Sequence, residues 1–115
     1  MDLLNKNKID TLASEIGQEN VPVLLGIFLS ELTTYENNLR EHAQADSEYL
    51  KEISHALKSS AASFGADKLC AKAIEIDGMV KLGLEMDVMS EYEHLIQLLR
   101  ETRERYERLQ PSSGA

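Results

Sequence analysis

The sequence predicts an all-α fold, an antiparallel up-and-down four-helix bundle with an additional short N-terminal helix, and three observations carry that expectation. No stretch alternates β-branched and polar residues in the way of a half-buried strand, whereas apolar residues recur at helical spacing along most of the chain. Helix breakers are scarce, with six glycines and two prolines in 115 residues. The apolar stripes fall into four long segments with short links, which bury one another most simply as an antiparallel bundle.

The first helix is expected from about Asn5 to Ile16, with Ile9, Leu12 and Ile16 at helical spacing and Gly17 as a natural stop. It reads as a lid closing one end of the bundle. Asn20 is placed to cap the second helix, with Pro22 tolerated in the first turn. Leu24, Leu25, Phe28, Leu32, Tyr35 and Leu39 then make a continuous apolar stripe, and the helix is expected to run to about Gln44. Asp46 or Ser47 caps the third, which should end where Phe64 meets Gly65. Asp67 lies at the start of the fourth, whose Leu69, Ala73, Ile76 and Val80 face inward until Gly83. Asp87 opens the fifth, where Val88, Tyr92, Leu95, Leu99, Thr102, Tyr106 and Leu109 carry the stripe to about Gln110. Residues 1–110 are read as one domain and residues 111–115, PSSGA, as a disordered polar tail.

A chain of 115 residues can bury a core without a metal or a disulfide. The single cysteine, Cys70, has no intramolecular partner, and no N-terminal stretch joins basic residues to an apolar run, so a reducing cytoplasm is the expected location. No run approaches the roughly 20 apolar residues of a membrane span. Twenty acidic against twelve basic residues leave a net charge of -8, which repels phosphate backbones and anionic lipid. The expected partner is therefore another protein, with neither nucleic acid nor a membrane surface in that role.

Chemistry concentrates on the third helix. At 100° per residue, Leu50, Ile53, Leu57, Ala61 and Phe64 fall within roughly 80° of one another, and His55 lies about 170° from the centre of that stripe. On the same outer face come Lys51, Lys58, Ser59, Ala62 and Ala66, two cations and three small residues. A neutral imidazole is a good nucleophile near neutral pH, and Lys58, three residues on, can reach back to an anion carried on it. Ser59, Ala62 and Ala66 offer little bulk along successive turns, so a partner could close over the ring, and Ser59 could donate a hydrogen bond.

Other groups give weaker signals. Glu52 with His55 and Glu91 with His94 match the Glu-x-x-His spacing of di-iron bundles, but His55 and Glu52 lie about 170° and 130° from the third helix's stripe, and His94 about 130° from the fifth's. Such ligands would point outward, and the second helix's stripe offers no carboxylate, so no metal site is expected. There is no Gly-rich phosphate loop, GxSxG elbow or paired-Cys spacing. His42 reads as a partly buried residue near the bundle's end, His94 as a surface residue and Cys70 as a small core hydrophobe.

The segment HALKSSAASFGA resembles the signature of histidine-containing phosphotransfer (HPt) domains, in which H-x-x-K is followed by small residues and an apolar-Gly pair. The resemblance extends over VPVLLGIFLSEL and YLKEISHALKSSAASFGADKLC, most of the chain. It implies phosphorylation of His55 on Nε2, Lys58 steadying the phosphoryl group, and a place in a quorum-sensing phosphorelay. Many HPt domains have glycine after that lysine; Ser59 stands here instead, small enough to leave docking intact. The implied partners are the receiver domain of a hybrid sensor histidine kinase as donor and that of a response regulator as acceptor, with Mg²⁺ supplied by the receiver and no intrinsic cofactor. Lys51, Ala62 and Ala66 would lie in the docking surface. The protein would be a phosphohistidine carrier without autokinase activity, and a monomer. The competing expectation is a non-catalytic helical adaptor that binds through the same face.

Overall fold

Short polar side chains set where three of the helices begin. In the computed structural model, which describes residues 1–41 and 46–109, Asn5 caps α1 (Lys6–Ile16), Asp46 caps α3 (Ser47–Phe64) and Asp87 caps α5 (Val88–Glu107). Each side chain accepts a first-turn N–H that the helix itself leaves without a partner. The remaining helices are α2 (Val21–Glu41) and α4 (Asp67–Lys81). No helix among the described residues is long and apolar enough to cross a membrane. The expected end of α2 near Gln44, His42, the expected end of α5 near Gln110 and the tail at 111–115 lie outside the described residues.

The start of α2 differs from the sequence expectation. Residues 18–20 form a 3-10 turn that runs directly into α2, so Asn20 is not its side-chain cap. Its Nδ2 instead donates to the Ile16 carbonyl at 2.7 Å. Gly17, at φ 92°, folds the chain back over the end of α1, and that brings Asn20 to a carbonyl α1 cannot satisfy internally. At the other boundary α4 stops at Lys81, with Leu82 as its cap ahead of Gly83.

The bundle is two tightly packed helix pairs, α3 with α4 and α2 with α5, closed by α2–α3 and α4–α5 contacts. Phe28, Leu32, Leu50, Ile53, Leu57, Leu69, Ile76, Leu95 and Leu99 fill its interior and are almost wholly removed from water. Ala61 and Ala73 are also buried, and their small side chains let α3 and α4 approach closely. Most inward residues expected from the helical period form the core or pack against it, joined by Leu4 and Leu98, which were not expected there; Leu12 and Ile16 of α1 and Leu24 of α2, placed inward by the same period, stay partly exposed outside it.

Polar groups fix how the pairs meet. Glu36 corrects the expectation that α2 turns no carboxylate inward: it is buried, and it can be because it takes Arg40 at 3.0 Å and Arg103 of α5 at 3.2 Å. Tyr106 places its ring edge-on to Phe28 at 5.4 Å and donates its hydroxyl to the Phe64 carbonyl at 2.7 Å, which joins α5 to the end of α3. Burial pushes the Tyr106 phenol well above its ordinary pKa. The N-terminal segment closes the same end. Asn5 donates its N–H to the Gly65 carbonyl at 2.7 Å and its Nδ2 to Asp67 at 2.8 Å, and Lys8 pairs with Asp67 at 2.8 Å.

Candidate functional site

His55 is exposed at the middle of α3, while Leu50, Ile53, Leu57 and Ala61 are buried on the opposite side, as the helical period requires. The helix is held at both ends. Asp46 accepts the Glu48 N–H at 2.9 Å, and the Asp46 backbone exchanges hydrogen bonds with the Tyr92 hydroxyl of α5, each at 2.9 Å. At the far end Gly65 adopts the left-handed conformation, φ 79° and ψ 18°. Its N–H reaches the Ala62 carbonyl at 3.3 Å and the Ala66 N–H reaches that of Ala61 at 2.9 Å. This paired closure satisfies the last carbonyls of α3 and fixes the length of its exposed face.

That closure corrects one expectation. Ala66 was placed on the outer face by extending the helical period through it, yet it is 0% exposed. The helix ends at Phe64, and the left-handed turn at Gly65 swings the next residue into the core, where it lies over the last turn of α3. Ala66 cannot touch a docking partner. Lys51, Ser59 and Ala62 do lie exposed with His55, and a shallow depression lined by Tyr49, Lys51 and Glu52 flanks the ring.

Lys58 is engaged within the protein. Its Nζ lies 2.6 Å from Oδ2 of Asp77 on α4, and Lys81 binds the same oxygen at 2.9 Å. Lys58's side chain is 29% exposed and that of Asp77 only 5%, so the lysine's stem crosses from the His55 face toward the α3–α4 seam. The helical period alone places this ammonium on the outer face with His55; in the fold its ion pair with Asp77 carries a desolvation cost that the short contact offsets. Asp77 and Lys81 were not among the expected site residues. The signals were present, an acid four residues beyond inward Ala73 and a lysine four residues further on, but the pairing with Lys58 is tertiary.

Hydrogen bonds from Lys58 and then Lys81 hold the Asp77 carboxyl down from 3.8 to about 2. The folded state therefore binds this proton less tightly than the unfolded chain. The resulting stability is fully present above 3.8 and is lost as the pH falls through about 2. Asp67 shifts in the same direction under hydrogen bonds from Lys8 and Asn5. Urea titrations from about pH 5 to about pH 2.5 should show the Asp77→Asn protein less stable at the upper end and with a shallower loss toward acid. Parallel curves would show that the pair contributes nothing to acid sensitivity.

The other candidates fall into structural places. Cys70 is half-buried against the core, its thiol donating to the Lys58 carbonyl at 3.6 Å. His94 and Glu52 are exposed, and Glu91 pairs with Lys72 of α4 at 2.7 Å. Among the described residues no group of three or more His, Cys, Asp or Glu side chains could hold a metal ion. On α2, Ser60 of α3 donates to Glu31 at 2.8 Å and Asn38 donates to Tyr49 of α3 at 2.8 Å, so the two helices run antiparallel beside the site. Val23 and Ile27 of α2 are 62% and 60% exposed, apolar area on α2 toward the Phe64 end of α3. An accessible imidazole with an ammonium one turn away and small neighbours can accept a transferred group from a protein that docks on this face.

Comparison with known proteins gives a consistent result. Residues 23–110 match the family model described as the Hpt domain. The chain is 58% identical over 104 residues to the phosphorelay protein LuxU of Vibrio cholerae serotype O1, covering 90% of this chain and 92% of that protein. It is 52% identical over 107 residues to LuxU of Vibrio vulnificus strain YJ016, covering 92% and 93%. For LuxU of Vibrio harveyi the identity is 51% over 106 residues, covering 91% and 93%. No solved structure matches significantly.

Proposed function

The chain belongs to the Hpt domain family, and on that premise we propose that it is the histidine phosphotransfer protein of a two-component phosphorelay, with His55 as the residue that carries the phosphoryl group. The observation that supports this reading above all is the exposure of His55 within the Hpt-matched segment, on a helix held rigidly at both ends, with Lys58 on the adjoining turn.

The step is an exchange between two proteins. The Nε2 lone pair of His55 attacks the phosphorus of a receiver's aspartyl phosphate; the P–N bond forms as the P–O bond to the aspartate breaks, and the carboxylate leaves with the electron pair. Nδ1 keeps its proton through the transfer. Negative charge spreads over three phosphoryl oxygens, and Lys58, once released from Asp77, can neutralise part of it. The second half-reaction reverses the first on another receiver. The donor is the receiver domain of a hybrid sensor histidine kinase and the acceptor that of a response regulator, in a quorum-sensing relay in the cytoplasm. Mg²⁺ and the acidic pocket belong to the receiver, so most of the electrostatic catalysis is the partner's and this chain is inert with ATP alone. It works as a monomer, because the same face must be open to both receivers in turn.

The docking surface comprises Lys51, Ser59 and Ala62 around His55 and extends toward exposed Ile27 of α2, which the antiparallel register puts level with the last turn of α3. One surface serving two receivers calls for a transient interface at the small end of the usual range. Ala62 has an exposed side chain, so tryptophan there disturbs no core contact but stands in the path of the incoming partner. The Ala62→Trp protein is expected to accept phosphoryl groups about tenfold more slowly with its circular dichroism unchanged; a wild-type rate would move the interface elsewhere.

The direct test is to incubate the purified protein with a phosphorylated receiver domain and Mg²⁺ and to follow intact mass. An acid-labile gain of about 80 daltons, located by fragmentation to His55, is expected for one phosphoryl group. Binding of receivers with no mass gain would favour the non-catalytic adaptor instead.

A further inference from the structure

Resting on the phosphotransfer reading, we propose that Asp77 is a positioning residue for Lys58, a buried carboxylate that parks the ammonium while His55 is unmodified, and that Lys81 takes over the carboxylate's charge when Lys58 turns to the phosphoryl group. Two ammoniums share a single oxygen, Asp77 Oδ2, at 2.6 Å from Lys58 and 2.9 Å from Lys81. A structural ion pair needs one counter-ion. The second has a distinct consequence here, because Asp77 is 5% exposed and a bare carboxylate at that depth is strongly disfavoured. If Lys58 were the sole partner, its departure would strand the charge and the lysine would stay where it is. Lys81, 59% exposed at the end of α4 and anchored one turn from Asp77, stays behind as the counter-ion.

The three groups together carry a net charge of plus one. What Lys58 contributes to phosphohistidine is then the difference between its interaction with the phosphoryl oxygens and the contact with Asp77 that it gives up. A lysine held by a competitor stabilises the phosphorylated state less than a free one. This keeps phosphohistidine close in free energy to the aspartyl phosphates on either side, as a reversible carrier requires.

The test is the equilibrium between a receiver's aspartyl phosphate and this protein, read from the label on each partner. Asp77→Asn leaves both lysines uncommitted and is expected to shift the equilibrium toward phosphohistidine by about three- to tenfold. Lys81→Gln, at an exposed position, is expected to shift it the other way by a similar factor, because Lys58 must then remain on Asp77. In a Lys58→Gln background the effect of Asp77→Asn should collapse to within about twofold, since the residue acts through the lysine. A merely structural role for Asp77 would lower the melting temperature without moving the equilibrium in this direction, and would persist without Lys58.

An unchanged equilibrium in Asp77→Asn, or the same shift with and without Lys58, overturns the inference while the phosphotransfer reading stands. Should Asp77→Asn fail to fold, the Lys81→Gln shift decides, and its absence also overturns the proposal. A wild-type protein that takes no phosphoryl group from any receiver overturns the phosphotransfer reading itself.

Discussion

The His55→Gln protein is expected to take no phosphoryl group while melting within about 2 °C of the wild type. The loss is complete because the nucleophile is the reacting atom itself; a glutamine amide has no nitrogen lone pair available for attack on phosphorus, and the neutral hydroxyl of Ser59 on the same face, with no adjacent base to activate it, is a far weaker nucleophile than an imidazole. The stability is unchanged because the imidazole is exposed and no hydrogen bond or ion pair ties it to the rest of the protein among those identified in the described residues. Glutamine also has good helix propensity, so α3 keeps its local preference. Intact-mass analysis after exposure to a phosphorylated receiver, alongside a thermal melt, separates the two effects. A labelled variant would move the phosphoryl group to another residue, and a large drop in melting temperature would show that His55 has a packing role not visible in its surroundings.

Gly65→Ala is expected to produce the largest loss of stability of a glycine-to-alanine change among the described residues, about 2–4 kcal/mol, and a fall in melting temperature on the order of 10 °C. Gly65 lies at φ 79°, where a Cβ is strained whatever the space. The space is also missing, since that Cβ would sit 2.6 Å from the Asn5 carbonyl oxygen and 3.1 Å from Cβ of Lys8. Backbone must therefore move, and the backbone in question is the segment that docks α1 on the α3–α4 corner. The closure of α3 and the contacts of Asn5 and Lys8 with Asp67 should weaken together. Differential scanning calorimetry gives the size, and hydrogen exchange at residues 5–9 and 61–66 tests the location. By contrast Gly26 on α2 would place a Cβ in open space, so Gly26→Ala is the control that should lose nothing and gain helix propensity. Equal effects at the two glycines would refute this account of the corner.

Much of this molecule was legible from local rules. The inward residues of α3, α4 and α5 follow a 3.6-residue period, and the caps at Asp46 and Asp87 follow from the chemistry of helix starts. The outward placement of His55, Lys51, Ser59 and Ala62 follows from the same period, because it depends only on angle around one helix. Local rules failed where a residue's position is set by something other than its own helix. Asn20 was given to α2, but the fold-back at Gly17 brought it to the end of α1. Ala66 was carried onto the outer face by a period that had already ended two residues earlier.

The sequence by itself determined that the chain is all helical, which face of α3 meets the core, and that one imidazole stands on the other side with a lysine one turn away. These properties depend on spacing within a few turns, and burial of the apolar stripe makes them nearly independent of the neighbours. Only the tertiary structure decided that Lys58 is held rather than free, that Asp77 and Lys81 complete its surroundings, and that Ala66 is sealed in the core. The physical reason is that ion pairing and desolvation depend on distances between segments far apart in the chain. Lys58 and Asp77 are nineteen residues apart in sequence, and it is the seam between α3 and α4, made narrow by buried alanines, that brings them within 2.6 Å.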